Sequence, residues 1–223
     1  RMKNAVLLAG PEATPGVEVA LAADDNAIKV ENVTIGFEAN QIQTNEYTSS
    51  LDNDAPIVGG MRIPLSFDVL LKGSGVVGVA PEWGVLMPAC AWAEIITPAA
   101  IPAAPEALTA GTATAATLGA GAAATAQAYR GLPLDLGARG LSVVADYGAD
   151  KVATLADSFA TPLSGSDNYQ ILPSVLYRPA SIDPSSLSFR FYQDGHVYRL
   201  AGARGTFSLS AEAGGIGRLS FQM

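Results

Sequence analysis

Reactive side chains are scarce in this sequence, and those present lack the partners that chemistry requires. His196 is the single histidine, and no cluster of Cys, Asp or Glu accompanies it as a general base or metal site would need. Beside Asp194-Gly195 it reads as a surface turn residue. Cys90, the single cysteine, could be a nucleophile, but its apolar neighbours at helical spacing make it a small core residue. Asp24-Asp25 and Asp52-Asn53-Asp54 carry oxygen donors of the kind calcium takes, without the spacing and closing glutamate of an EF-hand, so they read as solvated loops. Gly202-Ala203-Arg204-Gly205 has a faint look of a phosphate loop, yet it lies between strands and not before a helix, so a turn is the better reading. Trp83 and Trp92 could form a carbohydrate platform, with core packing the simpler use. The serines include no G-x-S-x-G elbow. No catalytic, cofactor or metal site is expected, and the chain reads as a non-enzyme.

Function must then lie in surfaces. The 223 residues allow one large domain or two small ones, long enough to bury a core without disulfide staples. Only 15% of residues are charged against 49% hydrophobic, which suggests that other copies cover much of the surface. A formal net charge of −8 argues against a protein that grips nucleic-acid phosphates. No apolar run reaches the roughly 18 residues of a membrane span, since Ala99 to Ala126 is broken by Pro102, Pro105, Gly111, Gly119 and Gly121. The opening Arg1-Met2-Lys3 leads into too short an apolar stretch for a signal peptide. The run LSFQM at the end is strand-like, so further residues are expected at both ends.

Period-two alternation sets the secondary structure. Residues 28–37 place Val33, Ile35 and Phe37 on one face. Residues 61–71 place Ile63, Leu65, Phe67, Val69 and Leu71 on one face, with an edge or bulge at Pro64, which lacks a ladder donor. A Gly73-Ser74-Gly75 turn follows. Pro81 then suits a helix start, and Trp83, Leu86, Met87, Cys90 and Ala91 recur at i, i+3, i+4 spacing. Pro88 should kink that helix or end its first half. The last third is a meander: residues 187–192, the hairpin turn Asp194-Gly195, then 196–200, 206–211 and 219–223. Between the halves, the Ala/Pro/Thr-rich stretch from Ala99 to Ala116 reads as a linker. Short strands at 132–136, 141–144, 151–155 and 169–172 then read as a small inserted β module.

Three blocks of the chain resemble the tube (major tail) protein family of long non-contractile phage tails. They are residues 3–20 with 26–42; FDVLLKGSG, APEWG and LMPACAWAE within 62–94; and YQDG with HVYRLAGARGTFS within 186–223. Residues 117–172 resemble a separate β module attached to phage tail and fibre proteins.

The resemblance implies a mainly β fold: an antiparallel β-sandwich or barrel with one packed α-helix at about residues 81–94, plus an inserted small β domain. Residues 1–101 and 173–223 would form the tube domain, 102–116 the linker and 117–172 the insert. It also implies a structural virion protein of the tail, present in the host cytoplasm during assembly. Such subunits form stacked hexameric rings around a lumen for DNA ejection. Implied partners are further copies of itself, terminator, tape measure and distal tail proteins, and DNA in the lumen without sequence-specific binding, with no cofactor and no membrane. An alternative is a tail-tip or adhesion protein whose 117–172 insert binds a host surface glycan. The polar stretch 41–54 is the expected inter-ring arm, with Gln43, Glu46, Tyr47, Leu51, Asp52 and Asp54 as its contact candidates. Ser188, Arg190, Ser208, Ser210, Ser220 and Gln222 are expected on polar strand faces, toward either the lumen or the exterior.

Overall fold

The computed structural model describes residues 5–43, 56–181 and 184–223. Strands take up 48% of it and helical turns 7%, so the fold is mainly β and antiparallel. The opening strands are β1 (Ala5–Pro11), β2 (Ala27–Ile28), β3 (Glu31–Ile35), β4 (Glu38–Ile42), β5 (Ile57–Arg62) and β6 (Leu65–Leu70). The middle strands are β7 (Trp92–Thr97), β8 (Ile101–Ala107), β9 (Ala110–Gly111), β10 (Ala115–Thr117), β11 (Pro133–Asp135), β12 (Leu141–Tyr147), β13 (Val152–Leu155), β14 (Asn168–Ile171) and β15 (Ser174–Pro179). The closing strands are β16 (Leu187–Gln193), β17 (His196–Ala203), β18 (Thr206–Ser210) and β19 (Arg218–Gln222). They form two compact units: Arg1–Lys72 with Glu82–Ala93 and Pro179–Met223, and Gly73–Pro81 with Glu94–Arg178.

The first unit holds two four-stranded sheets, ordered β17-β16-β1-β2 and β18-β19-β6-β3. Alternation decides what each sheet buries. Leu7, Ala9, Leu187 and Phe189 of the first sheet are buried, as are Leu65, Phe67, Val69, Leu219 and Phe221 of the second. The Phe67 ring meets Phe189 edge-on at 6.0 Å and stacks on Phe221 at 5.5 Å, which joins the two sheets through one aromatic cluster. The closing meander completes both sheets, β16 against β1 and β19 against β6. Asp194 (φ 46°) and Gly195 (φ 83°) make the positive-φ pair that the tight β16–β17 hairpin needs. The single strand expected over 28–37 is split. Ile28 pairs with β1, and Asn32 turns left-handed (φ 53°), which sends β3 to the other sheet.

The expected α-helix at 81–94 is instead two short 3-10 turns, Glu82–Leu86 and Pro88–Cys90. Pro88 supplies no N–H and crowds the preceding turn, so the first turn cannot propagate. Ala91 then turns left-handed (φ 61°), and β7 begins at Trp92. The apolar residues still serve the core: Trp83, Leu86, Met87 and Cys90 are buried, and the Trp83 indole donates to the Lys72 carbonyl at 2.9 Å.

The second unit is a seven-stranded sheet, ordered β8-β14-β11-β12-β13-β10-β9, with a separate ribbon of β7 and β15. Its outermost strands, β8 and β9, are consecutive pieces of one stretch, residues 101–111, so the sheet curls back toward itself. Its core includes Leu118, Leu134, Tyr147, Tyr169 and Ile171. The insert is therefore larger than residues 117–172. The expected linker 102–116 is strand: β8, β9 and the start of β10. Alanine masks the alternation there. Pro102 and Pro105 are tolerated because β8 pairs on one side only, with β14.

Candidate assembly surfaces

The least satisfied part of the first unit is the ribbon of β4 and β5. It extends the β3–β6 pair: the Gly36 N–H donates to the Pro64 carbonyl at 2.9 Å, across the point where Pro64 interrupts the second strand. Beyond it, β4 and β5 form a two-stranded sheet of their own. Nearly every described residue of the ribbon is exposed, including Ile42, Ile57, Val58 and Met61, the last two about 70%. A register shift lets Gly59-Gly60 face Asn40, with Ala39 opposite Met61 and Gln41 opposite Val58. Residues 39 and 41 share a face, so the bulge puts Met61 and Val58 on that face together. The other face carries the exposed Glu38–Arg62 ion pair (3.0 Å) and the Ile42–Ile57 pair. Phe37 sits at the base, 64% exposed, with its ring 6.3 Å from Tyr198. An isolated two-stranded ribbon is marginal in water, and one carrying this much apolar surface gains stability by being covered.

Of the expected arm contacts, Gln43 is exposed at the end of β4, and Glu46, Tyr47, Leu51, Asp52 and Asp54 lie outside the described residues. The apolar residues of the ribbon flank that stretch. Their signal was the run Ile57-Val58, between the polar stretch 41–54 and the strand expected over 61–71, together with Met61 at the start of that strand.

The second sheet of this unit has unequal edges. At the β3 edge, Glu31 and the left-handed Asn32 break the ladder, and Asn32 Nδ2 donates to Asp68 at 2.8 Å. The opposite edge, β18, reads TFSLS, with no charge, proline or bulge against β19. Such an edge is a template for another strand. The sheet's face away from the core is polar in register. Thr206, Gln222, Ser66 and Thr34 form one row, and Ser208, Ser220, Asp68 and Glu31 the next. Hydrogen bonds from Asn32 and Ser220 hold the Asp68 carboxyl below its usual range. Arg218 pairs with Glu31 at 3.3 Å.

This geometry divides the expected polar faces. Ser208, Ser210, Ser220 and Gln222 belong to this one sheet. Ser188 and Arg190 belong to the other sheet and are not open surface: Ser188 is fully buried and donates to Glu12 Oε1 at 2.7 Å, and Arg190 is bound to Glu18 at 2.6 Å. The covering segment, residues 12–22, has no strand periodicity to reveal it.

The reactive residues lie apart from one another, some packed and some exposed. Cys90 is buried, which pushes its thiol up to about 11. Trp92 packs edge-on against Phe207 at 5.5 Å. His196 is exposed beside the hairpin turn, and Asp24-Asp25 lie exposed on one helical turn, Ala23–Asn26. Gly202 does meet an anion, the chain's own Glu12, whose Oε1 accepts its N–H at 2.8 Å, but it lies inside β17, at the register shift opposite Ser188, and not in the expected turn. In the second unit Tyr129, Tyr147 and Tyr169 are turned into the core, and Tyr177 donates to Glu94 at 2.6 Å. Among the described residues no group of three or more His, Cys, Asp or Glu could hold a metal, and no helix is long and apolar enough to cross a membrane. No protein-family model matches the chain, and no curated protein matches it either.

Proposed function

We propose that this chain is the tube subunit of a long non-contractile phage tail, a structural virion protein that assembles into stacked hexameric rings around a lumen for DNA. The observation that carries the reading is the exposed apolar ribbon of β4 and β5, a projection whose surface calls for a second copy. The uncharged β18 edge supplies a lateral contact. Pairing it with a neighbouring subunit satisfies its free backbone groups, and cyclic symmetry stops growth within a ring. Ribbon contacts between rings are heterologous and do not close, so rings propagate into a tube. The polar face of the second sheet, with Asp68 and Glu31, suits a lumen wall, because carboxylates and hydroxyls do not release counterions from DNA as lysines would.

Tail completion proteins and transiting DNA would then be the further partners. The adhesion reading draws less support, since an aromatic stacking platform is what a glycan would need and the tyrosines of the inserted unit serve its core and its Glu94 contact. Negative-stain microscopy of the purified chain tests the proposal. Hexameric rings or hollow tubes are the expected result. Isolated monomers or trimers at every concentration, with measurable binding on a glycan array, would overturn it in favour of adhesion.

A further inference from the structure

The first sheet of the first unit has an outer face only partly open. Side chains at alternate positions of β1 and β16 share that face: Val6 opposite Tyr192, Leu8 opposite Arg190 and Gly10 opposite Ser188. Val6 and Tyr192 are exposed, together with Val197, which lies opposite Tyr192 on β17. Leu8 and Ser188 are buried. The cover over Gly10 and Ser188 is the segment 12–22. A Cβ placed on Gly10 would fall 2.5 Å from Leu21 and 3.6 Å from Val19, so the segment rests directly on that glycine.

This cover has little ladder pairing of its own. The carboxylate of Glu12 fastens its first turn. Glu12 accepts from the Ser186 hydroxyl at 2.6 Å, the Ser188 hydroxyl at 2.7 Å, the Gly202 N–H at 2.8 Å and the Gly16 N–H at 2.7 Å. Ser188 Oγ in turn accepts from the Val19 N–H at 3.2 Å. Farther along, Glu18 binds Arg190, and Asn26 Oδ1 accepts from the Ala22 N–H at 2.9 Å. We propose that Glu12 is a latch that holds residues 12–22 as a separable cover, and that its release opens one continuous face from the Val6–Tyr192–Val197 row to Gly10 and Ser188.

Burial raises the Glu12 pKa, but the hydrogen bonds from Ser186, the Gly202 amide, Ser188 and the Gly16 amide outweigh it and hold the group at about 2, against an ordinary 4.5. A depressed folded-state pKa means the latch contributes fully above pH 4.5 and is lost as pH falls toward 2. The charged groups on the elements packed here are Arg190 of β16, Glu18 of the segment, Asp24 and Asp25 of the helical turn that follows it, and His196 and Arg199 of β17.

Hydrogen exchange on the full chain tests the latch. In Glu12→Gln and in Ser188→Ala, the amides of residues 13–22 should exchange at least about tenfold faster at pH 7, with β1 and β16 protection retained. Unchanged exchange of the segment in both variants would overturn the proposal. Should either variant lose its fold, acid titration of the wild type decides. The Val19 and Leu21 methyl resonances should shift between pH 4.5 and 2 before those of core Leu7, and simultaneous loss of all three would overturn it.

Discussion

The ribbon offers the sharpest test of self-assembly, because its apolar side chains contribute little to the isolated subunit. Val58 and Met61 are 70% and 69% exposed and share one face of the ribbon. Fully burying such a side chain is worth roughly 1.5–3 kcal/mol, so burying the remaining exposed part is worth about 1–2 kcal/mol each. The double substitution Val58→Ser, Met61→Ser should therefore weaken a contact made through this face by roughly 2–4 kcal/mol, about 30- to 700-fold in association constant. Neither side chain supports the core, so subunit stability should change by no more than about 0.5 kcal/mol. Sedimentation velocity across a concentration series, paired with thermal melts of the dissociated subunit, separates the two effects. The expected outcome is an assembly threshold raised by one to three orders of magnitude with an unaltered melting midpoint. Unchanged assembly would refute the assignment of this face as a contact. A collapsed melting midpoint would refute the premise that the ribbon is peripheral to the core.

Further outcomes follow from other surfaces. Leu209→Lys places a charge on the β18 edge strand at a residue already 57% exposed, so the subunit should fold while lateral association in size-exclusion chromatography falls. Gln222→Lys adds a cation to the polar sheet face; tubes should still form and gain a salt-sensitive affinity for DNA in a filter-binding assay that the parent lacks. Tyr147→Phe removes the hydroxyl that donates to the Ala123 carbonyl at 2.6 Å inside the second unit, and should cost about 1–2 kcal/mol, visible as a lowered calorimetric transition.

How much of this was legible in the sequence depended on whether a residue's environment is set locally. The meander and its turn were legible because alternation and Asp194-Gly195 encode strand and hairpin within a few residues. Pro88 announced a break in the helix, but not that both halves would tighten to 3-10 turns or that Ala91 would turn left-handed; that follows from β7 having to begin at Trp92. The stretch 102–116 failed as a linker because strand formation there rests on β14 and β13, far along the chain, and not on its own alanines and prolines. The polar faces divide on the same ground. Ser208 and Ser220 face each other across one β-ladder, so alternation sufficed to find them. Ser188 has the same local pattern, yet it is buried by a carboxylate 176 positions away in a segment without periodicity. The alternation of a strand tells which side a residue takes. Whether that side meets solvent, a covering segment or another subunit is decided by parts of the chain, or of its neighbours, that the strand itself does not encode.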